Sequence, residues 1–142
     1  MTPEQKSLRD RLARVPQRLA VAAASARPVP GEWSAAENVR HLIAVEDVVW
    51  HARLEHLARE ANPKWPWVEP PPASFPGDDS LDTVLARFAS SRAQTVAHLD
   101  GLDAAGWDRT GTHATFGVLD VSGLMTKAID HDEDHLATLE DR

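Results

Sequence analysis

Hydrophobic residues recur at spacings of three and four in four separate stretches of the chain, and this is the period of an amphipathic helix. The first stretch begins at Thr2, which forms a capping-box pattern with Gln5. Pro16 is expected to kink this helix or to start a new one, because its ring clashes with the preceding turn. The alanine-rich run 20–26 extends the stretch, and Pro28 is expected to end it.

The second stretch has the clearest start signal in the chain. Ser34 is a good N-cap, and Glu37 stands three residues later, which completes a second capping box. Ser80 and Asp120 predict the starts of the third and fourth helices, and Gly101 predicts the end of the third. The apolar face of the second helix continues to about residue 60 through Leu42, Val45, Val49, Ala52 and Leu57.

Residues 62–79 interrupt the helical pattern. They hold six of the ten prolines of the chain, a density that excludes a regular helix. Loops of this length are uncommon in small domains and are often functional. Trp65, Trp67 and Phe75 lie in this segment, where they either form a wall of a substrate pocket or only pin the loop onto the bundle.

Signals for β-strands are nearly absent, and only residues 115–119 are predicted as a short extended piece. The pattern therefore predicts an all-α fold, a four-helix bundle with a long Pro-rich loop between helices 2 and 3. A length of 142 residues fits one domain, residues 1–142, and 42% hydrophobic and 26% charged residues are an ordinary globular balance.

The absence of cysteine narrows the chemistry that the chain can perform. It excludes disulfides, thiolate zinc sites and a cysteine nucleophile. Any metal must be held by histidine, carboxylate or backbone oxygen.

The net charge of −7, without any basic run, gives no electrostatic basis for binding nucleic acid or anionic lipid. No apolar stretch approaches the ~20 residues of a membrane span. Residues 1–6 lead directly into charged sequence without the apolar region of a signal peptide, so we expect a cytoplasmic protein.

Two histidines of the fourth helix have the spacing of a metal-ligand pair. His131 and His135 are four residues apart, so they share a helix face with β-carbons about 5–6 Å apart. Two imidazoles at this separation can bind one ion. By spacing alone, the favoured reading is a pair solvated among the acidic residues Asp130, Asp132, Glu133 and Asp134.

His41 favours a metal site over a solvated pair. It lies about two turns into the second helix, where Val45, Val48 and Ala52 continue its apolar face. Three histidines on two inward faces would form a site with open positions, which is typical of a catalytic metal rather than a closed structural one.

Other polar residues are weaker candidates for the same site. Glu37 lies one turn before His41 and can orient it, or it serves only the capping box. His113 precedes the fourth helix and can reach the mouth of the site, although a surface position is the simpler expectation. Asp132 and Asp134 are expected on a solvated face.

Two motifs together resemble the DinB/YfiT-like superfamily, over about residues 15–140. The motifs are Trp33 and Ser34 followed by Glu37 and His41-Leu42, and a Phe116-Gly117 turn leading into a helix with His131-Asp132 and His135-Leu136.

The resemblance implies a four-helix bundle with a site for nickel, zinc or iron, whose ligands carry over to His41, His131 and His135. Some relatives transfer low-molecular-weight thiols such as bacillithiol, mycothiol or glutathione, others are metal-dependent isomerases or hydrolases, and many have no assigned activity. Members often form homodimers, so a homodimer is also expected.

These observations favour a metal-dependent enzyme, a thiol S-transferase or a related transferase or hydrolase. A low-molecular-weight thiol or another small molecule would be its substrate. The alternative is a non-catalytic protein of the stress response that binds a metal or small ligand. A third possibility is a plain helical protein without a metal.

Overall fold

The computed structural model describes residues 1–73 and 80–142 of the chain. Its helical segments are α1 (Pro3–Ser25), α2 (Ala35–Val45), a π-helical turn (Glu46–Trp50), α3 (His51–Arg59), α4 (Leu81–Asp100), α5 (Ala104–Asp108) and α6 (Val121–Glu140). Because α2, the π turn and α3 follow one another without a break, they form one of four long helical rods. Within the described residues, no helix is long and apolar enough to cross a membrane.

The predicted helix starts are confirmed by their capping hydrogen bonds. Thr2 forms a complete capping box with Gln5, and Ser34 forms one with Glu37. Ser80 and Asp120 each accept a backbone N–H at the start of α4 and α6. Helix α1 runs through Pro16, so the prediction that a new helix starts there is wrong.

The four rods pack around one core. Helix α1 lies against both α4 and α6, and α2 lies against α4. This arrangement brings the inward faces of α2 and α6 to the same interior, which is the condition for a site shared between them. The largest fully buried apolar side chains are Leu12, Leu19, Leu42, Phe88, Leu99, Trp107, Leu124, Met125, Ile129, Leu136 and Leu139.

The π turn changes which side chains face the core. Val48 is 56% exposed, whereas Val49 and Trp50 are buried, so the prediction that Val48 continues the row of His41 is wrong. A π turn uses i→i+5 hydrogen bonds and is wider than an α-helical turn. It therefore shifts the inward positions by one residue, and a regular 3.6-residue period cannot predict this.

A small sheet corrects the all-α prediction, although the chain is mostly helical. The strands are β1 (Lys64–Trp65), β2 (Thr110–His113) and β3 (Gly117–Asp120), in the order β1-β2-β3. β2 pairs with β1 in parallel and with β3 as an antiparallel hairpin. β3 overlaps the predicted extended piece. β1 has only two residues, and β2 contains no large apolar side chain that would show a period-2 pattern.

The Pro-rich loop is described only in part. Within it the structure shows β1, and the backbone N–H of Ala73 donates to the carbonyl of Arg40 in α2 at 3.1 Å. Residues 74–79, including Phe75, lie outside the described residues. The loop as a whole, and the role of Phe75, therefore stay predictions.

Trp65 pins the beginning of this loop to the sheet. Its side chain is buried, and its Nε1–H donates to Nδ1 of His56 at 3.3 Å. The indole covers Gly111 of β2 so closely that a β-carbon there would lie 2.7 Å from ring atom Cζ2. Only a glycine fits beneath the ring.

We expect Gly111→Ala to destabilise the protein by about 1–3 kcal/mol, because the added methyl overpacks this contact. Gly101→Ala is the matched control, because a β-carbon at Gly101 meets only carbonyl oxygens at an ordinary 3.6 Å. Urea unfolding of both variants measures the difference. Equal stabilities would contradict the close packing of Trp65 on β2.

Candidate metal centre

The structure brings three histidines from two rods together at the interface of α2 and α6. Their ligand atoms all lie within 4.8 Å of one another. The ring centroids of His41, His131 and His135 are 4.8–5.2 Å apart in pairs. No other group of three or more metal-ligating side chains of this kind is present among residues 1–73 and 80–142.

His41 is fully buried, and its ring is held in one orientation. Its Nδ1 lies 2.9 Å from the backbone carbonyl oxygen of Pro70. Because a carbonyl only accepts, Nδ1 must carry the proton, and Nε2 is left with a free lone pair. The indole of Trp33 packs beside the ring at a centroid distance of 5.1 Å.

His135 is oriented in the same way by a side chain. Its Nδ1 lies 2.9 Å from Oδ1 of Asn38, whose Nδ2 in turn donates to the carbonyl of Ser34 at 3.0 Å. That second bond fixes the amide, so Oδ1 is the atom that accepts from His135. Nε2 of His135 is therefore also unprotonated, as a metal ligand requires.

His131 completes the cluster between these two rings. Its Nε2 lies 3.3 Å from Nε2 of His41, and its Nδ1 is buried without a hydrogen-bond partner among the described residues. A proton on Nε2 of His131 can satisfy the free lone pair of only one of the other two rings. A divalent cation can accept one lone pair from each of the three histidines.

One measured distance fits such a cation. Two nitrogens bound at 2.0–2.1 Å to one tetrahedral ion are about 3.3 Å apart. The observed distance from Nε2 of His41 to Nε2 of His131 is 3.3 Å. Three imidazole ligands would leave further positions of an ion free, which is the pattern of catalytic sites, and His131 lines a cleft described below.

The electrostatics keep His131 and His135 neutral. Burial lowers the pKa of His131, and the nearby His41 lowers it further, while Glu69 and Asp134 oppose this. Burial, with smaller effects of His131 and His41, lowers the pKa of His135 to about 4. Both rings are therefore neutral at pH 7, the protonation state that binds metals.

A buried ionic cluster lies directly behind the histidines. Arg92 of α4 donates through Nε and Nη2 to the carboxylate of Glu46 at 2.8 and 2.9 Å. Nη2 also donates to Oδ1 of Asp132 at 3.0 Å, and Nη1 lies 2.8 Å from Oδ2. All three side chains are about 1% exposed. Asp132 is therefore buried, and its predicted position on a solvated face is wrong.

Burial and the charge of Arg92 act in opposite directions on the two carboxylates of this cluster. Burial raises the pKa of Asp132 to about 6, although Arg92 acts in the opposite direction. Burial also acts to raise the pKa of Glu46, but the charge and hydrogen bonds of Arg92 outweigh it, and that pKa is lowered. Arg92 thus holds the rod of His41 and the rod of His131 together through one side chain.

A cleft opens beside the histidine cluster. It has a volume of about 240 Å³, and His131 lines it together with His113 of β2. Its apolar lining consists of Val45, Val49, Trp50, Trp67, Val68 and Phe116.

The other predicted site residues take different positions. Trp67 lines the cleft, whereas Trp65 pins the loop and does not line it. His113 is 2% exposed and lies in the cleft wall, so the expected surface position is wrong. Glu37 forms the capping box, and the residue that orients a histidine is its neighbour Asn38.

The sequence contained a signal for two of the residues that we did not predict. Asn38 is three residues before His41 and four before the buried Leu42, on the same inward row. Arg92 occupies an inward position of α4, four residues after the buried Phe88. A polar residue in such a row needs a buried partner, which marks it as part of a network.

The described residues define a four-helix bundle with a three-histidine cluster beside a cleft. The comparisons with known proteins agree with the fold. The model of the DinB superfamily matches residues 6–139, and the chain belongs to this superfamily. No curated protein matches the chain.

The chain is similar in structure to YfiT from Bacillus subtilis, with a TM-score of 0.75 and 17% sequence identity. The match covers 99% of this chain and 86% of that one. YfiT is described as a probable metal-dependent hydrolase with an unusual four-helix bundle topology. At this identity the likeness shows the shared fold alone.

Proposed function

We propose that this protein is a metal-dependent enzyme, a thiol S-transferase or a related transferase or hydrolase, whose metal is held by His41, His131 and His135. The observation that carries the proposal is the fixed orientation of two rings by Pro70 and Asn38, which turns free Nε2 lone pairs toward the third. The description of YfiT as a probable metal-dependent hydrolase supports the same reaction class.

A divalent cation at these residues would lower the pKa of a bound thiol or water, so that a nucleophile forms at neutral pH. Nickel, zinc and iron all accept imidazole ligands. Because the three ligands are neutral, the cation would keep its full charge.

The residues of the chain support this chemistry in two ways. His131 lines a cleft of about 240 Å³, so a small molecule can reach the edge of the cluster. Trp33 packs against the ring of His41 at 5.1 Å and shields that side of the cluster from solvent. A low-molecular-weight thiol or another small molecule is therefore the substrate class that we propose.

Elemental analysis of the purified protein tests the metal. We expect about one divalent ion per chain in the wild type and a near-complete loss in His131→Ala. His98→Ala is the control, because His98 lies outside the cluster. Equal and negligible metal in the wild type and in His131→Ala would refute the proposal.

Activity assays separate an enzyme from a passive binder. Glutathione, bacillithiol and mycothiol are each tested with 1-chloro-2,4-dinitrobenzene, and hydrolysis is tested with p-nitrophenyl acetate. We expect turnover that is lost with the metal. Bound metal without turnover would favour the non-catalytic binder, and turnover that survives chelation would refute the metal mechanism.

Asn38→Ala is expected to weaken metal binding by about 10–100-fold, because it removes the acceptor that orients His135. Glu37→Gln is the matched control, since glutamine also completes a capping box and Glu37 does not orient a ligand. Competition with a fluorescent chelator measures both affinities. A larger loss in Glu37→Gln than in Asn38→Ala would contradict this assignment.

A further inference from the structure

The cleft beside the histidines contains a buried cation that lacks a counter-ion. Arg53 of α3 lines the cleft and is only 7% exposed. Its Nη2 donates to the carbonyl oxygen of Pro66 at 2.8 Å, and no carboxylate of the described residues pairs with it. Arg92, the other deeply buried arginine, has two carboxylate partners.

The guanidinium of Arg53 is held in place by aromatic rings. Its Cζ lies 5.9 Å from the ring centroid of Trp50 and 5.6 Å from that of Trp65. Burial lowers the pKa of Arg53, which reflects the cost of removing this charge from water. Buried charges are normally paired, so an unpaired one on a cleft is a place where an anion gains most.

Two further donors lie on the same wall. Nδ1 of His113 accepts the backbone N–H groups of Thr115 and Phe116 at 2.9 and 3.2 Å. A neutral His113 must therefore carry its proton on Nε2. Lys127 of α6 places Nζ 4.1 Å from the ring centroid of Phe116, and no described carboxylate is within ion-pair distance.

These groups produce a positive field at one end of the cleft. Burial is the main cause of the lowered pKa of His113, and the charges of Arg53 and Lys127 lower it further. At the other end, Glu69 and Asp134 act on His131 with the opposite sign. In the metal-free protein, an anion is therefore attracted to the end with Arg53 and repelled from the end with His131.

We propose that Arg53, together with Lys127 and His113, binds the carboxylate of a small organic acid in this cleft. Its apolar body would lie against Trp50 and the other apolar lining residues, with its opposite end toward the histidine cluster. A single negative charge fits best, because Asp130 also lines the cleft and would oppose a second one. The identity of the reacting end rests on the proposed function, but the binding of the carboxylate does not require a metal.

Metal-free protein, dialysed to remove the chelator, is titrated with hexanoate and with its neutral analogue hexanamide. Because Trp50 and Trp67 line the cleft, intrinsic fluorescence reports binding. We expect hexanoate to bind at least about tenfold more tightly than hexanamide, as a charge-assisted hydrogen bond implies. In Arg53→Gln the affinity for hexanoate should fall at least about tenfold, with that for hexanamide unchanged.

Arg59→Gln is the matched control and should leave both affinities unchanged, because Arg59 is exposed and pairs with Glu55 on the surface. Lys127→Met provides a second test should Arg53→Gln not fold, and it should weaken hexanoate selectively. A purely structural Arg53 would not create a preference for the acid over the amide. Equal affinities for the two probes, or hexanoate binding unaffected in both variants, would overturn the proposal.

The metal content of the same variants separates the two proposals. We expect Arg53→Gln to retain its metal while it loses hexanoate. Selective hexanoate binding in a wild type that holds no metal would refute the proposed function and leave the carboxylate site standing. Bound metal without any preference for hexanoate would refute the carboxylate site and leave the proposed function standing.

Discussion

Arg92→Met is expected to destabilise the fold by about 3–5 kcal/mol, because it leaves the carboxylates of Glu46 and Asp132 buried without their cation. Methionine has a similar length and no charge, so the substitution removes the ion pairs without opening a large cavity. The carboxylates are each about 1% exposed, and water cannot replace the lost donors without local opening. Urea unfolding at pH 7 measures the change.

Arg18→Met is the matched control for this prediction. Arg18 pairs with Glu133 of α6 at 2.6 Å, but its side chain is 43% exposed and solvent screens the pair. We expect a loss of about 0–1 kcal/mol there. Similar losses in both variants would show that the buried position of Arg92 has no special importance.

Replacing the carboxylates as well tests whether unpaired charge causes the loss of stability in Arg92→Met. If unpaired charge is responsible, adding Glu46→Gln and Asp132→Asn to Arg92→Met should recover part of the lost stability, because neutral amides cost less to bury than carboxylates. No recovery would point to lost packing around Phe88, over whose ring the guanidinium lies at 5.0 Å.

The helix starts followed from the sequence because capping is local. Thr2 with Gln5 and Ser34 with Glu37 show the same capping boxes in the sequence and in the structure. A cap depends on residues three positions apart, so its chemistry can be read without knowledge of the rest of the fold.

The histidine cluster could be predicted for a related reason. His131 and His135 share a helical face at any packing angle, and the apolar row around His41 predicted that it also faces inward. Whether the two helix faces meet depends on how the bundle packs. Spacing alone left this open, and the resemblance to a known superfamily predicted that the three histidines form one site.

The surroundings of the histidine cluster could not all be predicted from local sequence patterns. Asp132 stands in an acidic run and is indistinguishable there from a solvated residue, until Arg92 from a helix 40 residues away in sequence is placed against it. The π turn has no residue signature of its own, so the exposure of Val48 could not be predicted. The contact of Arg92 with Asp132 arises between rods rather than within one.

Removal of the metal by a chelator is expected to lower the free energy of unfolding by about 2.7–4.1 kcal/mol when the free metal had been 100–1,000-fold above its Kd. The physical reason is linkage, since the folded chain gathers three ligands from two rods and the unfolded chain does not. The effect should disappear in His135→Ala, which removes the ring that Asn38 orients.

His98→Ala should keep the full response to the chelator, because His98 contributes nothing to the cluster. Thermal or urea unfolding with and without added zinc, nickel or iron measures the change for each ion. The ion with the largest stabilisation identifies the preferred metal, since the shift depends on the ratio of free metal to Kd. An equal response in the wild type and His135→Ala would mean that the ion binds elsewhere and does not join the two rods.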